Sequence, residues 1–245
     1  MAEEQGKYSI EVCLTPRLFG DILTQGECIV VLVDILRATT SICYAFMNGV
    51  ASIVPVASLE EARRKKEEGF LVASEQDGKK LDFADFGNSA FSFTRERVAG
   101  QTVVYCTTNG TRALEVARSR APVAIGCFNN ISALKDWLTS QERNVVILCS
   151  GWKNKFCLED TLFAGALSEE LLKVPGFYTF CDAAKAAMDL FRVADTDMSG
   201  YIRKAMHYQR LKLLGLDDVI PYSFQRDTTT VVPVLKGSEI INMNP

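Results

Sequence analysis

Short, nearly continuous apolar runs alternate along the chain with amphipathic stretches of helical period, and polar turns separate the two. Three such units carry most of the signal. The first is a predicted buried strand, Cys28–Val33, followed by the turn Asp34-Ile-Leu-Arg-Ala-Thr-Thr, a short helix ending at Asn48-Gly49 and a strand Ser52-Ile-Val-Pro-Val. Ser58-Leu-Glu-Glu61 then reads as a capping box, in which the serine hydroxyl and the Glu61 carboxylate each satisfy an orphan amide of a helix that stops near Gly69. In the second unit a strand Thr102–Cys106 leads into Thr107-Thr-Asn-Gly-Thr, a helix from Arg112 to about Ser119, a strand Pro122–Cys127 and a helix from about Ile131. The third has a strand Val145–Cys149, a polar turn from Ser150 to Leu158 and a helix that carries Glu159 and Asp160 through Leu172.

This repetition predicts an α/β fold, a layered α/β/α arrangement of strand–turn–helix units with a mainly helical C-terminal portion. One domain over residues 1–245 is expected, with subdomains at about 1–175 and 176–245 as its natural division. Two amphipathic helices, about 180–194 and 200–214, and a last strand near Thr230–Leu235 complete the reading. Residues 75–100 hold four phenylalanines among Asp, Gly, Asn and Ser, and a connection that long is expected to pack over the site. The three polar turns follow the carboxyl ends of predicted strands, where open α/β sheets bind ligands.

Composition narrows the chemistry. The 245 residues carry 27 Lys+Arg against 30 Asp+Glu, a net charge of −3, with 48% hydrophobic and 23% charged residues. That balance excludes a disordered chain and the basic surface of a nucleic-acid binder. The apolar run Cys28–Val33 ends at Asp34, far short of the roughly 20 residues that cross a bilayer, so no membrane partner is expected. The start Met-Ala-Glu-Glu-Gln-Gly-Lys lacks the apolar region of a secretory signal, and a cytoplasmic protein is expected. Eight cysteines without a C-x-x-C pair read as reduced, buried thiols. The single histidine, His207, excludes HExxH zinc sites, Cys2His2 fingers and paired-histidine phosphatases, and it lies in what reads as a charged amphipathic helix.

Carboxylates, arginines, hydroxyls and backbone amides remain. Thr107, Thr108, Asn109, Gly110 and Thr111 end a strand and open a helix, which places amides and hydroxyls at a positive dipole end as an anion cradle, with Arg112 beside it. Asp34, Arg37, Thr39 and Thr40 occupy the same place in the first unit. Asp34, Glu159 and Asp160 together describe hard oxygen ligands for Mg²⁺ at a phosphoryl site. Each feature also has a structural reading: a hydroxyl-rich helix cap, a capping Asp34 paired with Arg37, and acidic residues that complement a helix dipole. Cys106 and Arg112 have the C-x5-R spacing of cysteine phosphatases, an alternative mechanism. Asp195-Thr-Asp-Met-Ser-Gly-Tyr-Ile imitates a Ca²⁺ loop but has Met206 where the bidentate glutamate belongs, and reads as a helix-capping loop.

Val33-Asp-Ile-Leu-Arg-Ala-Thr-Thr-Ser-Ile42, Asp85-Phe-Gly-Asn-Ser89, Thr107-Thr-Asn-Gly-Thr-Arg-Ala-Leu114, Phe128-Asn129, Leu158-Glu-Asp160 and Gly215-Leu-Asp-Asp-Val-Ile220 resemble the 2-phosphosulfolactate phosphatases, the ComB family of coenzyme M biosynthesis. The resemblance covers about residues 8–236. It implies Mg²⁺-dependent hydrolysis of 2-phospho-3-sulfolactate, or a related 2-phospho-hydroxy acid, to 3-sulfolactate and phosphate. On this reading Asp34, Glu159 and Asp160 hold the metal, and Glu75 or Asp85 is an alternate ligand or the base for the attacking water. Arg37 and Arg112 meet the remaining substrate charge, with Asn88, Ser89 and Asn129 among the substrate-binding residues. Two departures stand out: Ser74-Glu75-Gln76 where the family usually shows Gly-Glu-Arg, and Ala90 where a proline usually follows Gly-Asn-Ser. The partner implied is a small phosphorylated and sulfonated acid. A non-catalytic binder of such metabolites is the other alternative, and a homodimer is expected as the commonest soluble assembly.

Overall fold

Ile29–Val33 are buried completely because their strand runs between two parallel neighbours, an environment that accepts a continuous Val/Ile/Leu run but not an alternating one. The computed structural model describes residues 6–22, 26–107 and 109–244. The order is β1 (Tyr8–Cys13), β2 (Cys28–Val33), α1 (Ala38–Met47), β3 (Ser52–Pro55), α2 (Leu59–Glu67), β4 (Leu71–Gln76), β5 (Lys79–Lys80) and α3 (Arg95–Val98). Next come β6 (Thr102–Cys106), α4 (Gly110–Arg118), β7 (Val123–Gly126), α5 (Ile131–Ser140), β8 (Asn144–Cys149), α6 (Leu158–Leu172) and β9 (Phe177–Tyr178). The chain closes with α7 (Asp182–Asp195), α8 (Met198–Ile202), α9 (Met206–Leu213), α10 (Ile220–Ser223), β10 (Pro233–Lys236) and β11 (Glu239–Asn242).

The strands form one sheet in the order β5-β4-β6-β3-β11-β10-β7-β2-β8-β1-β9. Two parallel blocks, β4/β6/β3 and β7/β2/β8/β1/β9, flank the hairpin β10–β11. The hairpin is antiparallel within itself and to both neighbours, so the two blocks run in opposite directions. Helix α1 carries the chain from β2 in one block to β3 in the other, and α4 carries it back from β6 to β7. This reciprocal exchange is the spatial form of the strand–turn–helix repeat. It brings the first turns of α1 and α4 together: a Cβ added at Gly110 would lie 3.0 Å from the Ala38 Cβ.

Both sheet faces are covered. Along β6, Val103 and Tyr105 enter the main core, whereas Val104 and Cys106 point the other way into a smaller cluster with Val56, Ala62, Val72 and Ala84, beneath α2. The Ser58 hydroxyl caps α2 by accepting from the Glu61 amide at 3.1 Å, and Gly69 ends the turn with φ +94°. All eight cysteines are free thiols, six of them buried. No described helix is long and apolar enough to cross a membrane.

The structure departs from the pattern reading in four places. Strands β1 and β4 were not expected from the sequence. The single strand expected near Thr230–Leu235 is a hairpin, with Gly237 and Ser238 as its two-residue turn. The helix expected over 200–214 is two short ones, α8 and α9, broken at residues 203–205. The segment 75–100 supplies the end of β4, the hairpin turn to β5 and α3, and its Phe86 and Phe93 stack at 4.9 Å in the core. Asp197 caps α8 by accepting from the Gly200 amide at 2.9 Å, in accord with a capping loop.

Candidate active site

Asp34 leaves the end of β2 and is almost fully buried. Its Oδ1 accepts from the Ala38 amide at 3.2 Å and its own amide donates to the Thr39 hydroxyl at 3.1 Å, so the turn is braced by the start of α1. Gly110 permits α4 to close on it: a Cβ there would stand 3.2 Å from Thr107 Oγ1 and 3.3 Å from Asp34 Oδ2. Burial pushes the Asp34 carboxyl up to about 6; the charge of His207 and the Ala38 amide pull it down, and Glu75 and Glu159 add to the rise.

Glu159 and Asp160 open α6 and are both buried, but they do different work. Asp160 accepts from the Ile35 amide at 2.9 Å and the Gly151 amide at 3.0 Å, and so ties the turn after β2 to the turn after β8. Burial, with the charges of Glu159 and Asp34, holds its carboxyl well above the ordinary range. Glu159 accepts, or shares a proton with, His207 Nδ1 at 2.9 Å through Oε1. Its Oε2 is buried without a hydrogen-bond partner. Cys157, Glu159 and His207 place one ligand atom each within 4.8 Å of one another. His207 in turn stacks against Trp152, ring centroids 6.4 Å apart at 24°.

In front of Asp34 lies a small recess of about 30 Å³ lined by Asp34, Glu75, Asn88, Thr107, Asn109 and, at its mouth, Asp77, Trp152 and Arg210. Asp77 and Gly78, with φ of 52° and 88°, form the two-residue turn between β4 and β5, a conformation that suits an Asp-Gly pair. The Gly78 amide donates to Glu75 Oε2 at 2.6 Å and fixes that carboxylate. Arg37, buried behind this wall, donates through Nη2 to the Gly78 carbonyl at 2.9 Å, and burial lowers its basicity. Asn88 accepts from the buried Tyr105 hydroxyl. Helix α4 opens on the recess with no side-chain cap from Asn109, whose Oδ1 instead accepts from the Lys153 amide at 3.4 Å. That end carries the partial positive charge of a helix N-terminus.

Several expected site residues lie elsewhere. Asp85 binds Lys66 at 2.7 and 2.8 Å and the Val72 amide at 2.8 Å, clamping α2 to β4. Arg112 is exposed on α4, and Asn129 holds the Tyr222 and Gln225 carbonyls at 3.0 and 3.1 Å. The Thr40 hydroxyl turns inward to the Ile35 carbonyl at 2.9 Å, and the hydroxyls of Thr107 and Thr111 serve each other's backbone. The Thr111 amide, in the first turn of α4, is thus satisfied by the Thr107 hydroxyl. Ser89 precedes a short 3₁₀ turn, is half-buried and makes no capping bond. Thr108 lies outside the described residues. Cys106 faces the smaller core, on the opposite side of β6 from Tyr105, and burial pushes its thiol up, which removes the geometric basis of a thiolate nucleophile. Asp160, expected as a metal ligand, accepts a backbone amide on each oxygen and braces two turns. His207, Trp152, Asp77 and Arg210 were missed; only the Asp-Gly pair offered a local signal.

A model of the 2-phosphosulpholactate phosphatase family matches residues 13–238. The chain belongs to that family. It is accordingly a phosphoric monoester hydrolase. Probable 2-phosphosulfolactate phosphatases are similar to it throughout: that of Caldanaerobacter subterraneus is 34% identical over 212 residues, 85% of this chain and 88% of its own. The one from Gloeobacter violaceus is 38% identical over 208 residues, covering 83% and 86%. The one from Clostridium perfringens is 34% identical over 237 residues, covering 94% and 95%.

Proposed function

We propose that the chain hydrolyses 2-phosphosulfolactate, or a closely related 2-phospho-hydroxy acid, to the free hydroxy acid and phosphate with the help of Mg²⁺. The observation that carries the reading is the meeting of Asp34 with the start of α4 across Gly110, beside a buried Glu159 whose Oε2 has no partner. A buried carboxylate oxygen without a donor is costly unless a cation completes it. The oxygens of Asp34 and Glu159 are hard donors of the kind Mg²⁺ selects, so the residues fit the metal. Bound there, Mg²⁺ would supply neutralising charge for the phosphoryl group.

The chain's own residues do the rest. The first-turn amides of α4 hold phosphoryl oxygens and pull the ester toward Asp34. Glu75, fixed by the Gly78 amide, orients the attacking water and takes its proton. Arg37 stays beneath the wall, where its hydrogen bond to the Gly78 carbonyl keeps the turn in place. His207 holds Glu159 in one orientation. Inorganic phosphate released from 2-phosphosulfolactate, with Mg²⁺ and again with excess EDTA, tests the proposal. Mg²⁺-dependent release is expected; equal release in EDTA rules out the metal role, and no release rules out the substrate.

A further inference from the structure

Arg210 is a cation at the recess for which the phosphoryl chemistry has no use. It stands at the mouth of the space whose walls carry Asp34 and Glu75. Its guanidinium lies over Trp152, 5.3 Å from the ring centroid, and Nη2 donates to the Asp77 carbonyl. The Asp77 carboxylate is 3.7 Å away and 65% exposed, a weak partner that another anion can displace, while the Arg210 side chain itself is 22% exposed. Five N–H donors in a rigid fork leave capacity beyond the Asp77 carbonyl, and stacking on the indole holds the fork's plane in advance of any ligand.

Charge sorts what enters. An ester that carries a second anionic group cannot place both groups among Asp34, Glu75 and Glu159. The phosphoryl group has the α4 amides; the second group needs a cation further out. Arg37 is 4% exposed and tied to the Gly78 carbonyl, and Arg112 does not line the recess. Lys153 also approaches Asp77, at 3.7 Å, but on a stem that is 57% exposed, without the planar fork. Arg210 is the preorganised cation at the right end.

We propose that Arg210 is the specificity-determining residue of this site: it binds the second anionic group, carboxylate or sulfonate, of an ester whose phosphoryl group lies at the Asp34 end. The inference rests on the phosphatase reading above and adds to it the residue that recognises the acid group of the substrate.

The test is kcat/KM for three esters, 2-phosphosulfolactate, 2-phospholactate and isopropyl phosphate, which carry two, one and no further anionic groups. Arg210→Ala lowers the preference for 2-phosphosulfolactate over isopropyl phosphate by about 10- to 100-fold, the range of one charge-assisted hydrogen bond, chiefly through KM. Comparison with 2-phospholactate tells whether the sulfonate or the carboxylate is the group lost. Arg210→Gln, which keeps a donor for the Asp77 carbonyl, gives the same loss of preference, and Arg210→Lys an intermediate one. Equal loss for all three esters means that Arg210 only anchors α9 and overturns the inference alone. A wild-type protein that releases phosphate from none of them overturns the phosphatase reading, and this inference with it.

Discussion

Arg37 and Arg210 hold neighbouring carbonyls of one two-residue turn, Arg37 that of Gly78 at 2.9 Å and Arg210 that of Asp77. One arginine follows β2 and the other lies on α9, so residues from opposite ends of the chain fix the same wall of the recess. The amide of that turn in turn fixes Glu75 at 2.6 Å. The position of the carboxylate assigned to the water thus depends on a helix that sequence periodicity alone leaves outside the site. Burial separates the two arginines in function, since one is sealed behind the wall and the other faces the mouth.

Asp34→Asn keeps the shape of the turn and removes the charge. The Ala38 amide retains an acceptor, so folding is preserved, while kcat falls by about 10²- to 10³-fold, as for loss of one preorganised electrostatic partner. Phosphate release at saturating substrate, with circular dichroism as the check on folding, measures this. Turnover within threefold of wild type removes Asp34 from the mechanism.

Gly110→Ala tests the close approach of the two helix starts. The new methyl meets Ala38 Cβ at 3.0 Å and Asp34 Oδ2 at 3.3 Å, so α4 has to withdraw from the carboxylate by a few tenths of an ångström. Overpacking of this kind costs about 1–3 kcal/mol. A loss of kcat/KM of at least about tenfold is expected, because a small misplacement of the anion cradle is felt directly in the rate. A variant with lowered thermal stability and unaltered kinetics would show that the contact is purely structural.

Much of this arrangement was legible in the chain. The runs at β2, β6 and β8 are apolar on both faces, so their ends, and with them Asp34 and the start of α4, were placed within a residue or two. What stayed hidden was set by tertiary contact. Nothing local says that Asp85 turns to Lys66 or that Arg112 faces solvent, because a helix or loop polar residue looks the same on either side. His207 was discounted for its amphipathic surroundings; its role comes from Glu159, and no periodicity reports a pair so far apart in sequence. The Asp77-Gly78 turn was the missed local signal, since an Asp-Gly pair between strand-like residues marks a tight hairpin.

His207→Ala removes the partner of Glu159 Oε1 and leaves a buried carboxylate with neither oxygen hydrogen-bonded. If Glu159 is a metal ligand, loss of the residue that orients it weakens Mg²⁺ binding by about 10- to 100-fold. The activity of the variant titrated against Mg²⁺ should therefore reach half-maximum at a correspondingly higher concentration, with the maximum partly restored. An unshifted Mg²⁺ curve assigns the pair to folding alone.

Cys106→Ser separates the carboxylate mechanism from a thiolate one. Cys106 lies in the smaller core with Val72 and Val104, and its thiol is held above its ordinary value of 9.0 by burial. The hydroxyl is nearly isosteric, so activity within about threefold of wild type is expected, with a stability loss of about 1–2 kcal/mol from a more polar atom in an apolar cluster. Complete inactivation of a folded variant would restore the cysteine mechanism.

Asp85→Asn distinguishes a structural carboxylate from a catalytic one and makes a pH signature. Burial alone would raise the Asp85 carboxyl, but Lys66 and the Val72 amide outweigh it and hold the group below its ordinary value of 3.8. A depressed value in the folded state contributes stability that is present above the unfolded value and is lost as pH falls through the folded one. The side chains of the Lys66–Asp85 pair are 36% and 23% exposed, so solvent screening keeps its contribution on the order of 1 kcal/mol at pH 7. Denaturant melts at pH 7 should show the variant less stable by about that amount, and the difference should shrink as pH falls from about 4, where the unfolded carboxylate protonates, through the lower value of the folded one. Because Asp85 does not line the recess, kcat/KM stays within about twofold of wild type. A stable but inactive variant would place Asp85 in the chemistry instead.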